Sequence, residues 1–410
     1  MNSAVDISDH PAAIAAASNR LTAEWAGRVK DGTSTVLSGA GVWPLLGLLA
    51  LGADGDCRAE LAEAYGLDPA LGGTAAREFI TVFDRAPALR AALGLWYKSD
   101  LTIRRTWLDE LPPATHGKLT GDLKADKQHR DAWAKEHTDG LIEQMPVALS
   151  PSTVLILASA IMVKTTWRQE FQDVTHRVGA GPWAGRAVPA LTRPLGPDMI
   201  RVVDGGDGTG PITTVAVEGE DDIDVLLFLG GPEVPAGRVL RAGIDALGAP
   251  DPHRLGTAAT SLLDGVGGDE PIADPRVPGV VVRTVQSAGP EPTAVLTTPR
   301  FTIKAGHDLL AESALFGLEA ASDADRARFP GMSPEPLVVS SANQDAMAEF
   351  SAKGFKAAAV TVIAMARSMA MHRTEHRSRR FEVSYDRPFG FAAVHRTSGL
   401  IIVAGWVAEV

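Results

Sequence analysis

The sequence predicts an α+β fold, and three observations carry that prediction. Helix-patterned segments crowd residues 1–150, strand-patterned segments dominate 151–410, and no strand–helix–strand rhythm links them. At the junction, TVLILASAIMVKTTW (153–167) is a nearly continuous apolar run rich in β-branched residues, the pattern of a strand buried in a large sheet. Near the C-terminus, FGFAAVHR and LIIVAGWV are joined by Thr397-Ser398-Gly399, which reads as a closing hairpin.

The elements follow in chain order. Residues 11–30 carry Ala13, Ala16, Leu21, Trp25 and Val29 near helical spacing, so an amphipathic helix is expected. A short strand, TVL (35–37), leads into a helix over WPLLGLLALGA (43–53), which Gly52 and Gly55 stop before a third helix over RAELAEAYGL (58–67). ALGLWYKSD (92–100) reads as a strand, and HRDAWAKEHTDGLIEQM (129–145) as a polar helix ended near Gly140 and Pro146. From 176 to 292, glycine, proline and aspartate separate short strand candidates such as ITTVAV (212–217) and DVLLFL (224–229). The last third returns to strand, helix and strand over TPRFTIKA, HDLLAESALFGL and PLVVSS. A basic stretch, HRTEHRSRR (372–380), reads as a loop.

Composition excludes several classes of function. With 410 residues, 45% hydrophobic and 22% charged, the chain has ample material for a large core. Its 39 basic against 50 acidic residues give a net charge of −11, which argues against nucleic acid or an anionic membrane as the main partner. The single cysteine, Cys57, excludes an intramolecular disulfide framework and CxxC metal sites. The N-terminal residues lack a basic stretch followed by an unbroken apolar core, and no run reaches the roughly 18 apolar residues of a membrane span. A cytoplasmic monomer without cofactors is the expectation.

No catalytic residue is identified, because GxSxG, HExxH and GxxxxGK[ST] are all missing. GGDGTG (205–210) precedes Pro211 and no helix, so it reads as a hairpin loop and not a phosphate cradle. His372 and His376 stand four apart, but without a third ligand they read as part of a solvated basic loop, and no metal is expected. Asp221-Asp222 reads as an exposed turn.

The order of segments resembles the serpin superfamily. STVLSGAGVWPLLGLLALGADGDCRAELAEAYGL (34–67) looks like the family's first strand and following helices, and AWAKEHTDGLIEQMP (132–146) like its W-V-x-x-x-T-x-G-K-I helix. LILASAIMVKTTWRQEF (155–171) is similar to L-x-N-A-I-Y-F-K-G-x-W-x-x-x-F, keeping Ala160, Ile161, Lys164, Trp167 and Phe171. PRFTIKAGHDLLAESALFGL, FPGMSPEPLVVSSA and DRPFGFAAVHRTSGLIIVAGWV follow in the family's order. The match spans about 11–410 and is thinnest over 176–292. It implies one serpin-like domain over 1–410, with a large central mixed sheet, two smaller sheets, eight or nine helices and an exposed reactive-centre loop over about 354–385.

The same resemblance assigns site residues. KGFKAAAVT would be the hinge of that loop, matching E-x-G-T-E-A-A-A-A-T, and comprises Gly354, Phe355, Lys356, Ala357, Ala358, Ala359, Val360 and Thr361. In inhibitory members a protease cuts the loop and the hinge inserts as a new strand, so alternate residues must be small enough to pass between packed strands. The plainer reading of the run is an ordinary exposed loop or edge strand. Counting from the hinge places the scissile bond at Arg367-Ser368 or Ser368-Met369. The sheet-opening region maps to Ser38, Ser159 and Gln344. Several positions depart from the family pattern: Phe355 stands for Thr or Ser, Ala352 and Lys356 for acids, Ser159 for Asn and Gln344 for His. Gly39 and Gly41 replace Pro and Ser, and Thr213 stands where a Trp is usual. A bulky Phe355 at the threshold is expected to cost about 1–3 kcal/mol by overpacking and to slow or prevent insertion.

Two functions fit these residues. One is a bacterial-type suicide inhibitor of a trypsin-like or subtilisin-like serine protease. The other is a non-inhibitory serpin fold that holds a small-molecule ligand or catalyses a biosynthetic step. No basic helix early in the chain supports a heparin-type cofactor.

Overall fold

The computed structural model describes residues 10–112, 116–137, 153–179, 181–206, 208–248, 272–273, 276–356 and 376–410. The N-terminal third is organised by an apolar rod. After α1 (His10–Ala26) and β1 (Thr35–Leu37), Ser38 holds extended backbone and its hydroxyl accepts the Gly41 N–H at 3.1 Å, which starts α2 (Gly39–Gly52). GAGVWPLLGLLALG has no polar side chain to offer solvent, so α2 is buried almost all round, wrapped by α1, α3 (Gly55–Tyr65) and α4 (Gly72–Arg85). Trp43 stacks on Tyr65 at 4.7 Å and donates its indole N–H to the Tyr65 carbonyl at 2.7 Å. With α5 (Arg105–Leu108), α6 (Leu123–His137), α7 (Ala236–Asp245), α8 (Ser313–Phe316) and α9 (Glu319–Ser322), nine α-helices lie among the described residues.

Three six-stranded sheets account for the rest. The central sheet runs in the order β13 (Phe301–Asp308), β14 (Val339–Phe350), β15 (Gly354–Lys356), β4 (Leu155–Thr166), β2 (Leu89–Lys98), β3 (His116–Leu119). It is mixed: β14 is parallel to β4, and β13 is antiparallel to β14. It also holds the longest strands, β4 and β14 at 12 residues each. The second sheet runs β1, β18 (Leu400–Val407), β17 (Phe389–His395), β9 (Ile223–Leu229), β8 (Pro211–Glu218), β7 (Ile200–Asp204). The third runs β10 (Ile272–Ala273), β11 (Val280–Ser287), β16 (His376–Ser384), β12 (Thr293–Pro299), β6 (Ala187–Leu195), β5 (Gln172–Arg177). No helix among the described residues is long and apolar enough to cross a membrane.

Two sequence expectations are corrected here. The basic stretch is not a loop throughout, because from His376 onward it is β16, antiparallel to β11 and parallel to β12. Arginines occupy it because its backbone, not its side chains, makes both ladders, while Ser378, Phe381 and Val383 turn inward. The reactive-centre loop therefore cannot extend over 354–385; 354–356 and 376–384 are strands. His372, which stands four before His376 in the sequence, lies outside the described residues. The other correction concerns Asp222: the pair does form a turn, with Asp221 exposed, but Asp222 is half-buried. It and Asp221 adopt left-handed φ values of 64° and 53°, and Asp222 binds Arg396 at 3.1 Å.

That pairing closes the C-terminal hairpin. Arg396 grips Asp224 through two N–H groups, and the turn is pinned by Asn19, which donates to the Gly399 carbonyl and accepts the Ile401 N–H, each at 2.8 Å. Burial would raise the Asp222 carboxyl, but hydrogen bonds from Thr397 and the charges of His395 and Arg396 bring it below the usual carboxylate range. Burial pushes His395 down, against the pull of Asp222, and burial likewise pushes down His307, whose Nε2–H donates to the Val36 carbonyl at 2.8 Å. Both imidazoles are thus harder to protonate folded than unfolded. Stability should be flat above neutral pH and fall as pH drops through about 6.5, where the unfolded chain takes up protons first. Below about 3.9 the protonation of Asp222 adds a second loss, opposed by Asp345, whose raised carboxyl takes up its proton first in the folded state. Melting temperature measured from pH 8 to 3 tests this; a midpoint that rises between pH 7 and 5.5 contradicts it.

Candidate functional site

The central sheet is forked, and the fork is where the predicted hinge begins. β14 and β4 pair directly from Val339↔Leu155 to Asp345↔Ala160. Beyond that point they separate, and β15 lies between them, antiparallel to both: Lys356 faces Glu349 and Lys164, and Phe355 faces Phe350 and Thr165. Residues 346–348 and 161–163 make no direct ladder with each other. Asp345 stands at the crotch of the fork, its carboxyl held above the usual range by burial.

Phe355 is fully buried, at 0% exposure. Its ring meets Phe391 edge-on at 6.0 Å, Phe391 meets Phe301 at 5.0 Å, and Phe301 stacks on Phe350 at 5.4 Å. Trp167 and Phe171 complete the layer against Phe350 at 4.8 and 5.6 Å. The expected overpacking at the threshold is therefore corrected. The side chain is already inside, because five aromatic rings from β13, β14, β17 and the chain after β4 build a space for it. Small residues at the aromatic positions would have left nothing to receive it.

The connection from β14 to β15 has no slack. Ser351 donates its N–H and its hydroxyl to the Gly354 carbonyl, each at 3.0 Å. Trp167 donates its N–H to the Lys353 carbonyl at 3.0 Å and its indole N–H to the Ser351 carbonyl at 2.8 Å. Phe171 donates to the Ala352 carbonyl at 2.9 Å. Arg193, which the sequence did not single out, braces the far side. It is 5% exposed, lies 4.7 Å over the Phe171 ring and donates to the Gln169 carbonyl at 2.7 Å. Burial lowers its guanidinium pKa against the raising influence of Glu218.

Further down the fork, Ser38, Ser159 and Gln344, the residues that the resemblance assigns to sheet opening, come together. Gln344, 2% exposed, accepts the Ser38 N–H and donates to the Ser38 carbonyl, both at 2.8 Å, and reaches the Ser159 hydroxyl at 3.5 Å. Ser38 also donates its hydroxyl to the Ile402 carbonyl at 2.6 Å. One amide thus ties β14 to the start of α2, to β4 and, through Ser38, to β18. Gly41 makes room for it: a Cβ there would lie 2.8 Å from the Ser159 oxygen and 2.9 Å from the Gln344 nitrogen. The departures at positions 41, 159 and 344 are one complementary set. Of the remaining predicted residues, Gly354 and Lys356 lie in β15, while Ala357, Ala358, Ala359, Val360, Thr361, Arg367, Ser368 and Met369 lie outside the described residues.

A forked mixed sheet flanked by two further sheets, with Gly354 at the fork, defines a serpin-type architecture. A family model described as Serpin (serine protease inhibitor) matches residues 16–178 and 282–410, and the chain belongs to that family. Alpha-2-antiplasmin from Bos taurus is 27% identical over 338 residues, 81% of this chain and 60% of the relative, so the chain spans about 60% of that protein's length. Among solved structures, the native state of the thermophilic serpin tengpin superposes with a TM-score of 0.69 at 14% identity, covering 100% of this chain and 96% of that one. Serpin48 of Tenebrio molitor gives 0.68 at 15% identity with both chains fully covered. Thyroxine-binding globulin complexed with thyroxine gives 0.66 at 15% identity, covering 97% and 98%.

Proposed function

We propose that this serpin inhibits a serine protease of trypsin-like or subtilisin-like specificity by trapping it during loop cleavage at Arg367-Ser368 or Ser368-Met369. The observation that carries the reading is the fork: β15 is paired on both edges, so the hinge starts from inside the sheet it must enter. The chain past Lys356 is small and unbranched through Ala359, which suits further insertion in the same register. Incubation with trypsin and with subtilisin, followed by denaturing electrophoresis, should yield a band near the summed masses that survives boiling. Complete cleavage with fully active protease recovered refutes it.

A second reading has its own support. A cleft of about 610 Å³ opens between α1, α7 and the β17–β18 turn, walled by Ala12, Ala15, Ala16, Ile244 and Leu247 with Asn19 and Arg241 among its polar residues. Its size and mixed lining suit an amphipathic small molecule, and thyroxine-binding globulin, which shares the fold, has been solved in complex with thyroxine. Under this reading the protease escapes active in the same experiment.

A further inference from the structure

We propose that Phe355 is a positioning residue that seats the hinge within the sheet, at one fixed register, before any protease cuts the loop. The proposal deepens the inhibitory reading, but the seat belongs to the uncut chain.

Two features fix the register independently. At Gly354, a Cβ would lie 2.2 Å from the Thr165 carbonyl oxygen and 3.0 Å from the Thr166 Cα, so only glycine permits the backbone to approach β4 there. A one-residue slip would bring a side chain into that contact. The same slip would turn the Phe355 ring to the opposite face of the sheet and out of the Phe391 contact, since side chains alternate. The short turn 351–353, held at three carbonyls by Trp167 and Phe171, gives the hinge no other route. Glycine therefore sets where the strand may lie, and phenylalanine holds it there.

The seat also sets depth. Burial alternates along β14, with Ala342, Gln344, Ala346, Ala348 and Phe350 inward. Since Phe355 sits opposite Phe350, a strand continued in its register would set every second residue opposite Ala348, then Ala346, then Gln344. Up to Ala346 no direct β14–β4 pair stands in the way; at Asp345 the ladder to Ala160 begins. A threonine or serine in place of Phe355 would lack the aromatic contact that keeps the first step occupied.

The test is amide hydrogen exchange on the uncut, full-length chain, comparing wild type with Phe355→Ala and Phe355→Leu. Phe355→Ala should speed exchange at residues 355 and 356 by about tenfold or more relative to amides of the β17–β18 hairpin, which report global opening. Phe355→Leu, closer in volume, should restore most of the protection, and it serves alone if the alanine variant does not fold, then by exchange at 355 and 356 staying slow. Exchange at 355 and 356 that is fast in the wild type, or unchanged by Phe355→Ala, overturns the seat. If the cut wild-type chain melts with the uncut one while exchange follows the expected order, the inhibitory reading falls and the seat stands.

Discussion

Gln344→Ala should destabilise the uncut protein by about 3 kcal/mol, combining an orphaned buried donor with a cavity. The Ser38 N–H has the Gln344 carbonyl oxygen as its acceptor at 2.8 Å, in a site only 2% exposed. Truncation leaves that N–H buried without a partner and removes the amide that ties β14 to the α2 cap. The Ser38 carbonyl suffers less, because it also accepts the Gly41 N–H at 3.1 Å. Gln344→Glu keeps the acceptor but sets a carboxylate against the Ser38 carbonyl and should be at least as damaging. Gln344→His, which supplies one donor and one acceptor, should recover part of the loss. Urea unfolding of the four proteins measures this; an alanine variant within about 0.5 kcal/mol of wild type would show that water replaces the amide at no cost.

Much of this fold is legible along the chain, for physical reasons that differ by segment. β4 reads as a central strand because it is buried on both faces and needs no alternation. The closing hairpin reads because apolar strands flank a turn whose Gly399 takes φ 67°. β15 does not read: three residues show no period, and what buries Phe355 is a layer of rings contributed by residues 167 to 391. β16 is hidden by its own arginines, since composition reports side chains while the ladder is made by backbone. At the site, Ser38, Ser159 and Gln344 can be named by resemblance, but their substitutions look like damage in sequence. Only the distances reveal that the longer Gln344 amide spans what the shorter Ser159 leaves open, and that Gly41 clears the space.

On the inhibitory reading, cleavage between Arg367 and Met369 should raise the melting temperature by on the order of 10 °C or more, because the cut loop would then fill the fork. The first three positions past Lys356 would enter opposite Ala348, Met347 and Ala346 on β14 without breaking a direct pair. The fourth meets Asp345↔Ala160, and from there six direct pairs must open, past the Gln344–Ser38 tie. Each opened pair is replaced by two, one on either edge of the new strand, at a net gain of about 0.5–1.5 kcal/mol per hydrogen bond, so insertion runs downhill once it passes the tie. On the inhibitory reading, the tie is the barrier and the seat is the starting point. The two can be separated by measuring melting before and after limited trypsin cleavage. Full insertion gives a large rise in wild type, reached faster in Gln344→Ala, whose tie is broken. A rise of only a degree or two means that the chain stops at Asp345, and equal melting of cut and uncut protein means that nothing follows Phe355 into the sheet.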